Sequence, residues 1–425
     1  MIRTNAMRIP RALVPSTLCV VLLANLAAAA EEARDYAKEL RQAQSHQHAK
    51  RYKDCLRACE KMLGHYKESS QAKEVTWLKM ETQVLDGQLE GALKTLADLA
   101  RAEADDPKLQ MAVALRTGDV QRLVRRFEDA VATYRKAADA GAKDEPDQAA
   151  EALLRAGDVF STDLKKPEQA IAQYREIEAK LGAQQPKQAA EALRRIAAAL
   201  WEMKKVPEAR AEYQRLICAC PLDQAACQAA QSRIVESYRA ESKWAEALGA
   251  ARILYDAAGS EQGIRDAAQA VAQAFLAADG NLSRANEFLA YQSFGPDGPD
   301  GKPNTPDDIA ANRLAEVKYP PFSAEASKQF EAAVKAQPET YDGYRTKAFL
   351  YIYWGKPKEG AGQFLLAFKA ASLAQVPAAA QDLILIGMKA STASFRGLDR
   401  IFEYLSYGPK GKSGKENIPD PFAGL

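Results

Sequence analysis

Histidine is almost missing from this chain: His46, His48 and His65 are the only three in 425 residues. They sit within one short stretch, so a histidine-based catalytic set would have to come from that stretch alone. There is no His-Glu-x-x-His pair, no phosphate-binding glycine loop and no nucleophile elbow. β-Branched runs are nearly absent, which excludes a substantial sheet. After residue 30 no apolar run approaches the roughly 20 residues that a spanning helix requires. Charge of one sign is lacking too: 58 basic residues face 56 acidic ones, a formal charge of +2. Residues 1–30 hold Arg3, Arg8 and Arg11 and no acid, so without those three cations the balance becomes −1. A near-neutral chain has no field with which to gather nucleic acid or an anionic membrane.

Those first thirty residues read as a secretory signal. Three arginines precede an apolar run from Leu13 to Leu26, and Ala27 to Ala30 end it before Glu31. This is a charged segment, an apolar segment and small residues for a peptidase. Pro15 and the shortness of the run argue against an uncleaved anchor. Cys19 lies mid-run with apolar residues beyond it, so it does not read as a lipid attachment site. The mature protein is expected in an oxidising compartment, periplasmic or extracellular.

What the chain has is helix formers: alanine, leucine, glutamate, lysine, glutamine and arginine dominate. Within them a small residue recurs at Cys55, Ala92, Ala130, Ala170, Ala209, Ala247, Ala285, Ala326 and Gly360, in steps of 37, 38, 40, 39, 38, 38, 41 and 34. Most are followed by larger apolar residues at four and seven, as with Ala209, Tyr213 and Leu216. Such a period marks stacked repeats. Each unit reads as a helical hairpin. In the best one, Leu193, Ile196, Ala197 and Leu200 line a first helix. Lys204-Lys205-Val206-Pro207 make the turn, and a second helix starts at Glu208 and stops at Pro221.

With Gly157 or Ala197 followed by Ala170 or Ala209, then Tyr174 or Tyr213, Ile177 or Leu216, and a terminal Pro221 or Pro338, the chain resembles the tetratricopeptide repeat family over residues 33–405. The resemblance implies an all-α solenoid of stacked antiparallel hairpins forming a right-handed superhelix, with first helices lining the concave face. It implies protein partners, no cofactor and no catalysis. The period is about 38 rather than the family's 34, and the extra residues are expected in the second helix or its exit loop. The organisation read from this is a signal over 1–30, repeats over 31–293, an insertion over 294–309, further repeats over 310–406 and a disordered tail over 407–425. The last repeat is degenerate, near Gly397, Ile401 and Tyr404. The insertion carries Asp297, Asp300, Asp307 and Asp308, but not at the spacing of an EF-hand.

Three sets of residues are candidates for chemistry or binding. Cys55 and Cys59 share a helical face near the histidines, but His65 lies about 240° round from Cys59. Both cysteines also occupy core positions of the first repeat, so no metal is expected. Cys218, Cys220 and Cys227 flank Pro221. A loop-closing disulfide from Cys227 to Cys218 or Cys220 is one reading, and three unpaired thiols are the other. Helical phasing places Arg194, Trp201, Glu236, Arg239, Gln273, Arg345 and Phe349 on the concave face. There Trp201 and Phe349 would anchor apolar side chains and the arginines would read carboxylates. The alternative is that the aromatics cap the core and the charges are solvated. The family's carboxylate clamp uses asparagines on first helices, and Asn281, Asn286, Asn304, Asn312 and Asn417 offer no suitable pair. The function expected is a non-catalytic scaffold for a complex in the cell envelope. The alternatives are a periplasmic carrier of small ligands such as glycan fragments and an accessory subunit of an envelope enzyme.

Overall fold

The structure is a computed structural model that describes residues 35–390, apart from 67–68, 183–184, 295–297, 303, 307–308 and 310–312. The signal, the tail, the degenerate last repeat, and Asp297, Asp307 and Asp308 of the insertion lie outside the described residues. Within them the regular structure is helical, with no strand. The chain forms two compact units, Met1–Ala152 and Leu153–Leu425. The division falls inside a helix and not at the insertion.

The first unit holds α1 (35–48), α2 (Tyr52–His65), α3 (Ser69–Leu85), α4 (Leu89–Ala102), α5 (Pro107–Leu123), α6 (Phe127–Gly141) and the start of α7 (Pro146–Asp158). From α2 to α6 each helix packs on the next. The second unit takes up α7, a π turn (Val159–Asp163), α8 (Pro167–Leu181), α9 (Pro186–Glu202), α10 (Val206–Ala219), α11 (Gln224–Ala240), α12 (Trp244–Ala257), α13 (Glu261–Asp279) and α14 (Ser283–Phe294). After the insertion come α15 (Ala324–Lys335), α16 (Tyr341–Tyr353), α17 (Pro357–Ala370) and α18 (Val376–Ala390).

The two helices of a hairpin start differently. Several first helices open on a side-chain cap: Asp106, Asp223 and Ser260 accept from the backbone N–H three residues on. The second helices α2, α4, α6, α8, α10, α12 and α17 open without one. They and α14 start from a turn in which one residue is left-handed, at Lys50, Gly87, Arg125, Lys165, Lys204, Ser242, Gly280 and Gly355. In most of these turns the left-handed residue and the one after it bond back onto the first helix. Lys204 N–H reaches Trp201 O at 3.0 Å and Lys205 N–H reaches Leu200 O at 2.9 Å. This satisfies carbonyls that a helix end leaves open. The left-handed residue stands five before each recurring small residue, Ala326 excepted.

The small residues are the close contacts that the period implied. Cys55, Ala92, Ala130, Ala170 and Ala209 are fully buried. A Cβ on Gly360 would meet Ile352 Cγ1 at 2.7 Å and the Ala348 carbonyl oxygen at 2.8 Å. The second-helix tyrosine then covers the first helix. Tyr134 lies on Gly118 and Tyr174 on Gly157, and each hydroxyl donates to the next acid, Asp119 or Asp158, at 2.7 Å.

The extra length of the repeat lies elsewhere than expected. First helices α3, α5, α9 and α11 have 17 residues and second helices α4, α10 and α12 have 14. The added turn is therefore in the first helix, not in the second helix or its exit. The single extra residue between Gly157 and Ala170 is absorbed by the π turn, where Leu164 N–H bonds Val159 O at 2.9 Å.

Neighbouring hairpins are tied by pairs one period apart. On α8 and α10, Arg175 binds Glu212 and Arg215 binds Glu178, both 37 residues away. Arg215 also reaches Glu212 at 2.7 Å. Arg195 joins Asp158 in the same way.

After the insertion the stacking order breaks. Among the described residues no first helix precedes Ala326 in the expected place. The chain makes a short 3-10 turn (Arg313–Glu316) and then a helix-free stretch to Phe322. Tyr319-Pro320-Pro321 holds this stretch extended, because proline fixes its own φ and bars the residue before it from the α region. α15 then packs on α10, and α16 packs on α12 and α10 as well as on α17. The described residues between 313 and 390 thus do not continue the array in line. They fold back over its second helices.

Candidate functional site

The seven concave-face candidates do not form one surface. Five lie on first helices of the second unit: Arg194 and Trp201 on α9, Glu236 and Arg239 on α11, and Gln273 on α13. Arg345 and Phe349 lie on α16, which sits against α12 and so is not in that row. Phe349 is a core residue, 5 % exposed, with its ring edge-on to Phe364 at 5.0 Å. Arg345 lies over that ring and grips Asp382 with two hydrogen bonds of 2.6 and 3.2 Å. Phe349 is thus part of the core, and Arg345 is half-buried with its guanidinium on Asp382.

The five first-helix residues differ in what they already hold. Arg194 forms a fork with Glu191 at 2.6 and 2.7 Å, and Arg195 takes the same carboxylate. Burial opposes ionisation of Glu191, but the hydrogen bonds from the two arginines prevail and hold it below the usual carboxylate range. Glu236 pairs with Arg233 at 2.7 Å. Arg239 and Gln273 are exposed, and Trp201 is half-buried.

The cysteines are packing groups. All five in the described residues are free, so the disulfide reading of Cys218, Cys220 and Cys227 is not what the structure shows. Cys227 is buried and its thiol donates to Cys220 O at 3.2 Å, while Cys220 donates to Leu216 O at 3.2 Å. Burial pushes the Cys218 thiol up to about 12. In the first unit Cys55 Sγ lies 3.3 Å from Thr82 Oγ1, and burial beside Cys55 raises Cys59 to about 12. His65 lies edge-on against Tyr66 at 4.9 Å. Among the described residues no three His, Cys, Asp or Glu are grouped to hold a metal. No described helix is long and apolar enough to cross a membrane.

A second face was missed in the sequence. It is the outer stripe of α12, Gly249, Arg252 and Asp256, and residues 317–322 lie along it. Arg252 donates to the Val317 carbonyl and stacks on the Tyr319 ring, its guanidinium carbon 4.4 Å from the centroid. Tyr319 Oη donates to Asp256 Oδ2 at 2.7 Å. A Cβ on Gly249 would stand 2.3 Å from the Lys318 carbonyl oxygen, so only glycine lets the segment come this close. Val317 and Pro320 are buried against the face, Tyr319 and Phe322 half so, and Lys318 and Pro321 point to solvent. The signals were a glycine inside a helix, where it costs about 1 kcal/mol, and the Tyr-Pro-Pro-Phe string.

No protein-family model matches the chain, and no curated protein matches it in sequence. Among solved structures it is similar to a tetratricopeptide repeat protein from Parabacteroides merdae, at 14% identity and a TM-score of 0.34 over 74% of this chain and 99% of that one. It is also similar to BtubC from P. vanneervenii, at 14% identity and a TM-score of 0.37 over 57% and 93%. A third likeness is to the TPR2AB domain of yeast Sti1 in complex with pHSP90, at 17% identity and a TM-score of 0.23 over 60% and 96%. At such scores the tetratricopeptide-like character of the chain rests on its own hairpins, small-residue contacts and turns.

Proposed function

We propose that this chain is an exported, non-catalytic scaffold that binds other proteins and holds a complex together in the cell envelope. One observation carries the reading: the α9, α11 and α13 row presents Trp201 half-buried and Arg239 and Gln273 exposed, on helices whose opposite sides are fixed in the core. An indole, a guanidinium and an amide on successive first helices suit a polypeptide, with an apolar anchor and hydrogen-bonding groups along it. Export rests on the composition of residues 1–30.

The test is cross-linking in cells at native expression, with a photoreactive residue at position 239 or 273, followed by mass spectrometry. One dominant protein partner is expected, lost when Trp201 is changed to Ala. Recovery of no protein at either position would refute the scaffold reading. A single precursor-to-mature mass shift, with the mature protein in the envelope fraction, is the expected result for export.

A further inference from the structure

We propose that the α10–α12 face is a second polypeptide-binding site, filled in cis by residues 317–322. Its external ligand is an extended partner segment of the same chemistry: an aromatic followed by prolines and a second aromatic. The inference rests on the scaffold reading and names a site that reading does not use.

The face treats the segment as a ligand. It reads the backbone through Arg252 on the Val317 carbonyl and through the clearance over Gly249. It reads one side chain twice, by the Arg252 stack on Tyr319 and by the Asp256 acceptor for its hydroxyl. Pro320 and Phe322 then wall a small hollow together with Ile217, Ile234, Tyr238 and Ile253 from three helices of the array, with Gln214 and Gln231 beside them and Phe330 and Tyr353 from α15 and α16 completing it. Inward side chains separated by outward ones at Lys318 and Pro321, and proline-set φ, are how polypeptides dock with little ordering cost. A connector needing only to reach α15 has no use for the Tyr319–Asp256 bond or for a glycine on the helix beneath it.

Cis occupancy sets the behaviour. A tethered segment competes at an effective concentration that is millimolar for short flexible tethers, so a free segment of equal affinity is excluded until the latch is weakened. Apparent affinity scales with the fraction of molecules whose face is open.

The experiment uses the full chain and a fluorescein-labelled peptide with the sequence of residues 316–324, read by fluorescence anisotropy. The Tyr319→Ala protein is expected to bind the peptide at least tenfold tighter than the wild type, and adding Arg252→Ala to that variant abolishes the gain. Tyr319→Phe, which keeps the ring and loses only the hydroxyl, serves if the alanine variant loses its helical circular dichroism. It shows a smaller gain for the tyrosine peptide than Tyr319→Ala, and none for the same peptide with phenylalanine at that place. Equal weak binding by the wild type and the folded latch variants overturns the inference. A partner captured through positions 239 or 273 alongside that result leaves the scaffold reading standing and removes only this face.

Discussion

Replacing Gly157 by alanine should destabilise the second unit, although alanine is the better helix former. In an open helix the change gains about 1 kcal/mol. Here the new Cβ would stand 2.2 Å from Tyr174 Cε1 and 2.7 Å from Cδ1 and Cζ, against the 3.4–4 Å of ordinary contact. The ring has no easy retreat. Tyr174 is 2 % exposed, its hydroxyl is bonded to Asp158, and Asp158 is held in turn by Arg195. Overpacking of a filled core costs about 1–3 kcal/mol, and an overlap beyond 1 Å belongs at the upper end. Straining the buried hydroxyl bond adds about 1 kcal/mol. The net loss is then about 2–3 kcal/mol, read by urea denaturation followed by circular dichroism. The decisive comparison is made in a Tyr174→Leu background. Without the ring the helix preference acts alone, and Gly157→Ala should become stabilising by about 1 kcal/mol. If the substitution has the same sign in both backgrounds, the ring–glycine contact is not what holds α7 against α8.

The left-handed turn residues give a test in the opposite sense. Lys204→Gly and Ser242→Gly should each raise stability by about 0.5 kcal/mol, the relief of a left-handed side chain less the entropy glycine adds to the unfolded chain. Gly280→Ala should lose about 1 kcal/mol through the backbone alone, since its Cβ would meet nothing within 4 Å. Melting temperatures in the reverse order would refute the account of the turns. Glu191 predicts an acid response. Its folded-state pKa is depressed below 4.5, so its contribution is present above that value and lost as pH falls through the folded pKa. Glu191→Gln should flatten the stability profile below about pH 4.5 and leave the slope near neutrality unchanged.

The period was legible because the close contact between two helices demands a small side chain wherever it occurs, and Ala170, Ala209 and Ala247 show the demand met. The left-handed turn was not legible, because Lys50, Arg125, Lys165, Lys204 and Ser242 occupy it without the glycine that would announce it. The pairs 37 apart were visible as residues but not as contacts, since nothing in Arg175 or Glu212 tells a solvated charge from a bridge. The fold-back was hidden by Ala326. It keeps nearly the right spacing and is buried, yet its helix packs on α10 instead of extending the row. Phasing therefore carried Arg345 and Phe349 onto a surface that α16 does not share. Gly249 and Tyr319 escaped notice because their partnership spans 70 residues and no periodic rule links them.

The π turn at Val159–Asp163 bears on how such arrays change over time. A residue added inside a helix ordinarily rotates everything beyond it by about 100°, which would turn the apolar stripe of the hairpin away from its neighbour. Here the surplus is looped out within five residues, and Ala170 and Tyr174 still meet the first helix in register. Insertions at the end of a first helix can thus be neutral where the same insertion in a second helix would not be. Lineages of these repeats should accordingly vary in length at that point while keeping the spacing from turn to small residue at five. Hairpins exchanged between arrays will remain compatible when joined by turn and not by residue count.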